Sequence, residues 1–280
     1  MSTLVVAAVQ MSSGLDKEQN LSAAERLIDE AVGGGAKLVA LPEHFSCGGV
    51  AQIQRENAEP VPGPTVERLC RKAGSAGIWL VAGSLAERVA DTDKVFNTSV
   101  LINPRGEIAA KYRKLHLFDV ELNGQTAVRE SDFFQAGDSI VAARTDYGTV
   151  GLTVCYDLRF PEVYRALAVG GAEIIFVVSS FMASTGRYHW EPLLRARAIE
   201  NQVFIVAPDQ AGPVPGTSVL RYGHSVIIDP WGTVLAQASD REGVITTEID
   251  LERLAAVRRQ LPSLAGRRPE VYRAGLCQHG

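Results

Sequence analysis

The stretch Ser99-Val-Leu-Ile-Asn103-Pro-Arg-Gly106-Glu-Ile-Ala109 has the character of a strand, a tight turn and a second strand. Proline after asparagine and a glycine closing the turn set this reading. Proline presets φ at the first turn position, and glycine tolerates the left-handed region. The same design returns at Ser225-Val-Ile-Ile-Asp229-Pro-Trp-Gly232-Thr-Val-Leu-Ala236. Two further echoes accompany it. Gly34-Gly-Ala-Lys-Leu-Val39 resembles Gly170-Gly-Ala-Glu-Ile-Ile175, and Gly77-Ile-Trp-Leu-Val-Ala82 resembles Gln202-Val-Phe-Ile-Val-Ala207. Generic strands recur in any α/β protein. The echoes here keep their order at an offset of roughly half the chain, hairpins included, as a duplicated unit would.

Each half then contributes one sheet with helices on its outer face. Two such sheets pack their uncovered faces together, giving an α/β fold with four α-β-β-α layers. The flanking patterns agree. Leu4 to Met11 reads as a first strand rather than a signal peptide, since it lacks a basic start and a cleavage-like region. Asp16, with Gln19 three places on, has a capping-box pattern. Leu21, Ala24, Leu27, Ile28 and Ala31 give the following helix one apolar face, and Gly33-Gly34-Gly35 stops it. Strands are expected at Lys37 to Leu41 and Ile78 to Ala82, and a helix around Val66 to Ala73. Pro213 to Gly216 reads as a loop. The whole chain, 1–280, is expected to form one domain, with a tail at about 261–280 that acts as an arm or an oligomer contact.

Composition narrows the function. The chain has 280 residues, 46% hydrophobic and 21% charged, as expected of a globular protein. A formal charge of -4 does not favour a nucleic-acid or anionic-membrane partner. No apolar run is long enough to span a bilayer. Cys47, Cys70, Cys155 and Cys277 have neither pair nor metal spacing, so free thiols in a reducing cytoplasm are expected.

Three short blocks carry candidate chemistry. Cys155 ends the apolar run Thr149 to Val154 and precedes a helix reaching Val169. A sharp turn from strand to helix exposes a thiol beside orphan amides, and nearby cations there lower a thiol pKa. Glu43 follows a strand in Leu41-Pro-Glu-His-Phe45. Apolar walls from Leu41 and Phe45 are expected to raise its pKa and suit it to act as a base. Lys114 lies in Lys111-Tyr-Arg-Lys-Leu-His-Leu-Phe118. Strand alternation puts Tyr112 and Lys114 opposite Lys111 and Arg113, and the apolar residues that follow point Lys114 into a pocket. Taken singly, these residues read as a buried structural cysteine, a solvated loop glutamate and a solvated basic face.

Together, Leu41 to Phe45, Lys111 to Phe118 and Val154-Cys-Tyr-Asp-Leu-Arg-Phe-Pro-Glu162 resemble the three catalytic blocks of the nitrilase superfamily, in the family's order and with similar separations. Ser179 to Met182, His189 to Asn201 and Gly223 to Gly232 resemble further family blocks, so the resemblance spans nearly the whole chain. It implies a Glu-Lys-Cys triad. Glu43 would be general base and then acid, and Cys155 the nucleophile. Lys114 and the backbone N–H of Tyr156 would hold the oxyanion, and Glu130 would support the site. It also implies the four-layer sandwich, assembly into dimers or larger homo-oligomers, and no metal or organic cofactor.

Cys-Tyr-Asp stands where nitrilases typically carry Cys-Trp-Glu, so an amide is expected rather than a nitrile. The block is similar to the Nit-type branch of ω-amidases and deaminated-glutathione amidases, whose small substrates carry a carboxylate. Arg159 is a candidate clamp for that carboxylate, or else a salt-bridge partner of Asp157 or Glu162. Phe181 and Thr185 fall in the region that lines the pocket in that branch. His44 and His116 read as supports of the triad. His189 and His224 lack metal-ligand spacing, and Trp190, Leu193, Leu194 and Ala198 read as helix core. The alternatives are N-carbamoyl hydrolysis and a non-catalytic binding protein.

Overall fold

Strand β1 (Thr3–Gln10) is buried on both faces, with alternate residues serving two different cores. Leu4, Val6 and Ala8 belong to one, Ala7 and Val9 to the other. That pattern requires a layer above and a layer below. The computed structural model describes residues 3–90, 92–122 and 126–273. After β1 come β2 (Leu38–Ala40), β3 (Trp79–Val81), β4 (Leu85–Arg88), β5 (Val95–Ile102) and β6 (Ile108–Arg113). Next are β7 (Asp119–Leu122), β8 (Thr126–Arg129), β9 (Ala142–Thr145), β10 (Gly148–Val154) and β11 (Ile174–Val178). The last are β12 (Phe204–Ala207), β13 (Ala211–Pro213), β14 (Leu220–Tyr222), β15 (Val226–Ile228), β16 (Val234–Gln237) and β17 (Gly243–Asp250). The α-helices are α1 (Lys17–Gly33), α2 (Ala51–Glu56), α3 (Pro64–Ala76), α4 (Pro161–Val169), α5 (Ala183–Asn201), α6 (Leu251–Gln260) and α7 (Pro269–Arg273).

The first large sheet runs β17-β1-β2-β3-β5-β4, with β6 also paired to β5. The second runs β16-β15-β12-β11-β10-β9. The series β1-β2-β3-β5-β6 is parallel, parallel, antiparallel, antiparallel. The series β10-β11-β12-β15-β16 repeats it step for step. The echoed hairpins agree down to the turn. Asn103 Oδ1 accepts from Arg105 and Glu107 N–H at 2.9 and 3.1 Å, and Asp229 Oδ1 accepts from Trp231 and Thr233 N–H at 2.9 and 2.7 Å. Gly106 and Gly232 both take positive φ, 76° and 87°. The register shifts at Leu101/Ile102 and again at Ile227/Ile228.

Helices α1 and α3 cover the outer face of the first sheet, where Leu21, Ala24, Leu27, Ile28 and Ala31 meet Val39, Leu80 and Val100. Asp16 caps α1 by accepting from Gln19 N–H at 3.0 Å. Helices α4 and α5 cover the second sheet through Val163, Leu167, Trp190, Leu194 and Ala198, with Leu193 partly buried beside them. Between the sheets, Leu4, Val6, Leu38, Ala40 and Leu101 pack on Leu152, Val154, Phe176, Val178 and Ile227. The result is the expected α-β-β-α sandwich. Each fully buried Val, Leu or Ile contributes about 1.5–3 kcal/mol. An interior of this size offsets a buried ionic site whose ions cost several kcal/mol each.

Two expectations are refined. Pro213 is the last residue of β13 rather than part of a loop. Beyond α6, the carbonyl of Leu261 accepts from the Gln202 side chain and Leu264 packs on the main core before α7. The tail therefore lies on its own chain as far as Leu264, while 274–280, with Cys277, fall outside the described residues. Among the described residues no helix is long and apolar enough to cross a membrane.

Candidate active site

Glu43 leaves β2 through Leu41 and Pro42 and enters the seam between the sheets, where its N–H donates to Ser179 O of the other half at 3.2 Å. The amide of Gln210 holds the Glu43 carbonyl at 3.0 Å. Gly83 lets the neighbouring loop pass, since a Cβ there would lie 2.1 Å from Pro42 O at a φ of +49°. Lys114 follows β6, whose alternation works as the sequence implies. Lys111 and Arg113 pair with Glu87 on one side, and Tyr112 turns inward to Asp157. Lys114, 2% exposed, places Nζ 3.1 Å from Glu43 Oε1 and 2.9 Å from Glu130 Oε2. Glu130, on a 3-10 turn, also accepts from Phe118 N–H at 2.6 Å.

Cys155 is the first residue of a 3-10 turn, Cys155–Arg159, directly after β10. Its φ of 47° is left-handed, a conformation that β-carbon residues rarely hold and that concentrates at functional sites. Asp157 closes the turn. Fully buried, it accepts from Val154 N–H at 2.9 Å, Tyr112 O–H at 2.6 Å and His116 N–H at 3.1 Å. One carboxylate thus joins the Cys155 turn of the second half to the lysine segment of the first. From behind, Arg197 donates twice to Leu158 O, at 3.1 and 2.8 Å. Cys155, Glu43 and Ser180 line the same cavity, with the thiol and the carboxylate close enough for each to shift the other's titration.

The electrostatics correct two expectations. Burial does push the Glu43 carboxyl up, but the Lys114 and His44 charges and hydrogen bonds from Cys155 and Lys114 outweigh it, leaving Glu43 below the usual carboxylate value. Burial and the facing Glu43 carboxylate push the Cys155 thiol well above its usual value, despite Lys114 nearby. Lys114 is held well above the usual lysine value, since Glu130 and Glu43 outweigh its burial. The resting site is therefore a neutral thiol beside an ionised carboxylate and a fixed ammonium. Glu43, His44 and Glu130 bring metal-type donor atoms within 4.8 Å of one another, but the Lys114 ammonium already stands between the two carboxylates.

A model of the family described as carbon-nitrogen hydrolase matches residues 5–259. The chain belongs to the carbon-nitrogen hydrolase family. It is 43% identical over 275 residues to deaminated glutathione amidase of Homo sapiens, covering 96% of this chain and 83% of that protein. It is 37% identical over 272 residues to omega-amidase NIT2 of Homo sapiens, covering 97% and 98%. Saccharomyces cerevisiae Nit3, a member of branch 10 of the nitrilase superfamily, superposes with a TM-score of 0.85 at 34% identity, covering 93% of this chain and 95% of that one.

In this hydrolase the predicted residues converge on one cavity of about 140 Å³. Glu43, Lys114, Glu130, Cys155, Tyr156, Arg159, Phe181 and Thr185 all line it. The volume is close to that of a cavity holding a benzene-sized molecule, about 150 Å³. Arg159 forms no ion pair with Asp157 or Glu162, because Asp157 is turned inward to Tyr112 and His116. Its guanidinium instead lies 5.3 Å from the Phe181 ring centre, with one nitrogen 3.2 Å from His189 Nδ1. His44 is part of the cavity wall itself, beyond the supporting role expected of it, while His116 stacks on Phe160 at 3.6 Å.

The sequence reading missed several lining residues, namely Gln54, Phe118, Ser180 and Met182, and it missed Asn97. Asn97 donates to Glu43 Oε1 at 2.8 Å from the middle of β5. Its signal was available, since Asn97-Thr-Ser interrupts an otherwise apolar strand whose every residue is buried.

Proposed function

We propose that this hydrolase is a cysteine amidase that converts a small carboxylate-bearing amide to acid and ammonia through a thioester on Cys155. One observation carries the reading. A thiol beside an ionised carboxylate, a buried ammonium, and a guanidinium without a carboxylate partner among the described residues share one small cavity. The names of the amidase relatives support the same chemistry.

The steps follow from the protonation states. Cys155 sulfur attacks the amide carbon while its proton passes to Glu43. The oxyanion forms against Lys114 Nζ and the N–H of Tyr156, which sits at the start of its turn where an amide has no acceptor within the turn. A donor of this kind contributes on the order of a hundredfold to a thousandfold in rate. Glu43 then protonates the nitrogen, the C–N bond breaks and ammonia leaves. Water attacks the thioester and gives a proton to Glu43. The second oxyanion collapses, the acid departs and the proton returns to sulfur. Two modest barriers replace one large one. Glu130 grips Lys114 with both oxygens, at 3.1 and 2.9 Å, and keeps the ammonium on the oxyanion position.

Arg159, with Phe181 and Thr185 beside it, is assigned to the substrate carboxylate. Arg159→Met is expected to raise KM for α-ketoglutaramate, succinamate or deaminated glutathione by about tenfold to a hundredfold, the worth of a charged hydrogen bond. An amide of similar size without a carboxylate should be turned over equally by both proteins. Equal losses on charged and neutral amides would remove Arg159 from this role. Ammonia accompanied by carbon dioxide from an N-carbamoyl amino acid would move the assignment to a carbamoylase.

The assembly proposed is a homo-oligomer, because α5 exposes Tyr188 (74%) and Ile199 (49%). Sedimentation should give a mass of at least two chains, and a monomer at micromolar concentration would exclude it. A reducing compartment such as the cytoplasm suits the free Cys47, Cys70 and Cys155 thiols.

A further inference from the structure

Asn97 touches Glu43, Lys114 and Glu130 together. Its carbonyl accepts from Lys114 N–H at 2.9 Å. Its Nδ2 donates to Glu43 Oε1 at 2.8 Å, and lies 3.4 Å from Glu130 Oε1 and 3.3 Å from His44 Nε2. The opposite amide orientation would set Oδ1 against Glu43 Oε1, two acceptors in contact, so the donor end must face the carboxylates. The Oδ1 end is buried with no hydrogen-bond partner among the described residues. An unpaired buried carbonyl costs stability, and a leucine of nearly the same shape would remove that cost. The amide is thus a poor choice for the strand and a good one for the carboxylate it faces.

We infer that Asn97 is a positioning residue that fixes the Glu43 carboxylate toward Cys155 and favours its ionised form by hydrogen bonding. The inference rests on the reading of Glu43 as the base. A donor aimed at a carboxylate stabilises the charged form, so removing it makes Glu43 harder to ionise. Every group facing Glu43 bears on that balance. Lys114 at the end of β6 and the neutral Cys155 thiol after β10 favour the ionised form. Glu130 on its turn opposes it by charge, while burial and Glu43 itself hold the Asp209 carboxyl, two residues past β12, well above the usual value, and His44 lies beside Glu43. Arg221, on β14, donates to the Ser13 and Pro213 carbonyls, and its charge acts on His44 and Asp209.

The test is the acid limb of kcat/KM against pH, measured on the full chain by ammonia release. In Asn97→Leu the limb is expected to move about one unit toward alkaline pH, the equivalent of one hydrogen bond to a charged group. Asn97→Asp should move it at least as far, by adding a third carboxylate. Asn97→Ala, which leaves room for a water, is measured in the same way should the leucine variant fail to fold. A merely structural asparagine would lower the rate at every pH and leave the limb in place. That result, in any folded variant, overturns the inference. Glu43→Gln separates the two layers. If it is inactive while the limb stays fixed in the Asn97 variants, only the role of Asn97 fails. If Glu43→Gln turns over normally, the base assignment fails and takes this inference with it.

Discussion

Cys155→Ala should release no ammonia above background, a loss of about four orders of magnitude or more. Among the described residues no other cysteine lines the cavity. Cys47 is buried but does not line this cavity, and Cys70 belongs to the edge of the outer core. Direct attack by water would need a water held where sulfur now sits, with Glu43 still aimed at it. The fold should survive the change. The left-handed backbone at 155 is held by Asp157 and Arg197 rather than by the thiol, and alanine bears the same φ of 47° at the same cost. Unfolding should therefore shift by no more than about 1 kcal/mol. Intact-mass measurement adds a second readout. A slowly hydrolysed amide should leave an acyl adduct on the wild-type chain and none on Cys155→Ala. Undiminished turnover in the variant would sink the thioester mechanism outright.

The neutral state of that thiol bears on how much of the site was legible in sequence. The hairpins were legible because Asn103 and Asp229 each build their turn with their own side chain and a glycine three residues on. Local chemistry of that kind needs no distant partner. The inward turn of Lys114 was legible for a related reason, since alternation along β6 is a property of strands. Protonation states were not. Burial alone predicts a raised Glu43, and a nearby cation alone predicts a lowered Cys155, and both predictions take the wrong sign. Glu43, Lys114 and Glu130 come from three separate loops, and the sign depends on distances of about 3 Å that only the packed sandwich sets. Arg159 shows the same limit. Whether Asp157 would neutralise it depended on Tyr112 and His116, far away in the chain, which take both oxygens of Asp157. Asn97 was hidden differently. A polar residue amid buried strand neighbours announces a partner without naming it.

Lys114→Met offers the largest combined effect, because in the proposed mechanism the ammonium stabilises an oxyanion, and it also neutralises two buried carboxylates. The rate should fall on the order of a hundredfold to a thousandfold, or more where Glu43 is displaced as well. Stability at neutral pH should fall by about 3–5 kcal/mol, as when one partner of a buried ion pair is removed. The pH dependence carries the sharper prediction. In the wild type Glu43 lies below its usual value, so its contribution is present above the usual carboxylate range and is lost as pH falls through the lowered value. Without Lys114, burial is no longer outweighed and Glu43 rises above that range. Its folded form then takes up a proton that the unfolded chain does not hold, and stability is lost as pH rises. The gap between variant and wild type should therefore narrow steadily from pH 8 to pH 5 in urea unfolding. A gap of constant size would mean that the ammonium does not hold Glu43 ionised, and the base would need another source for its charge.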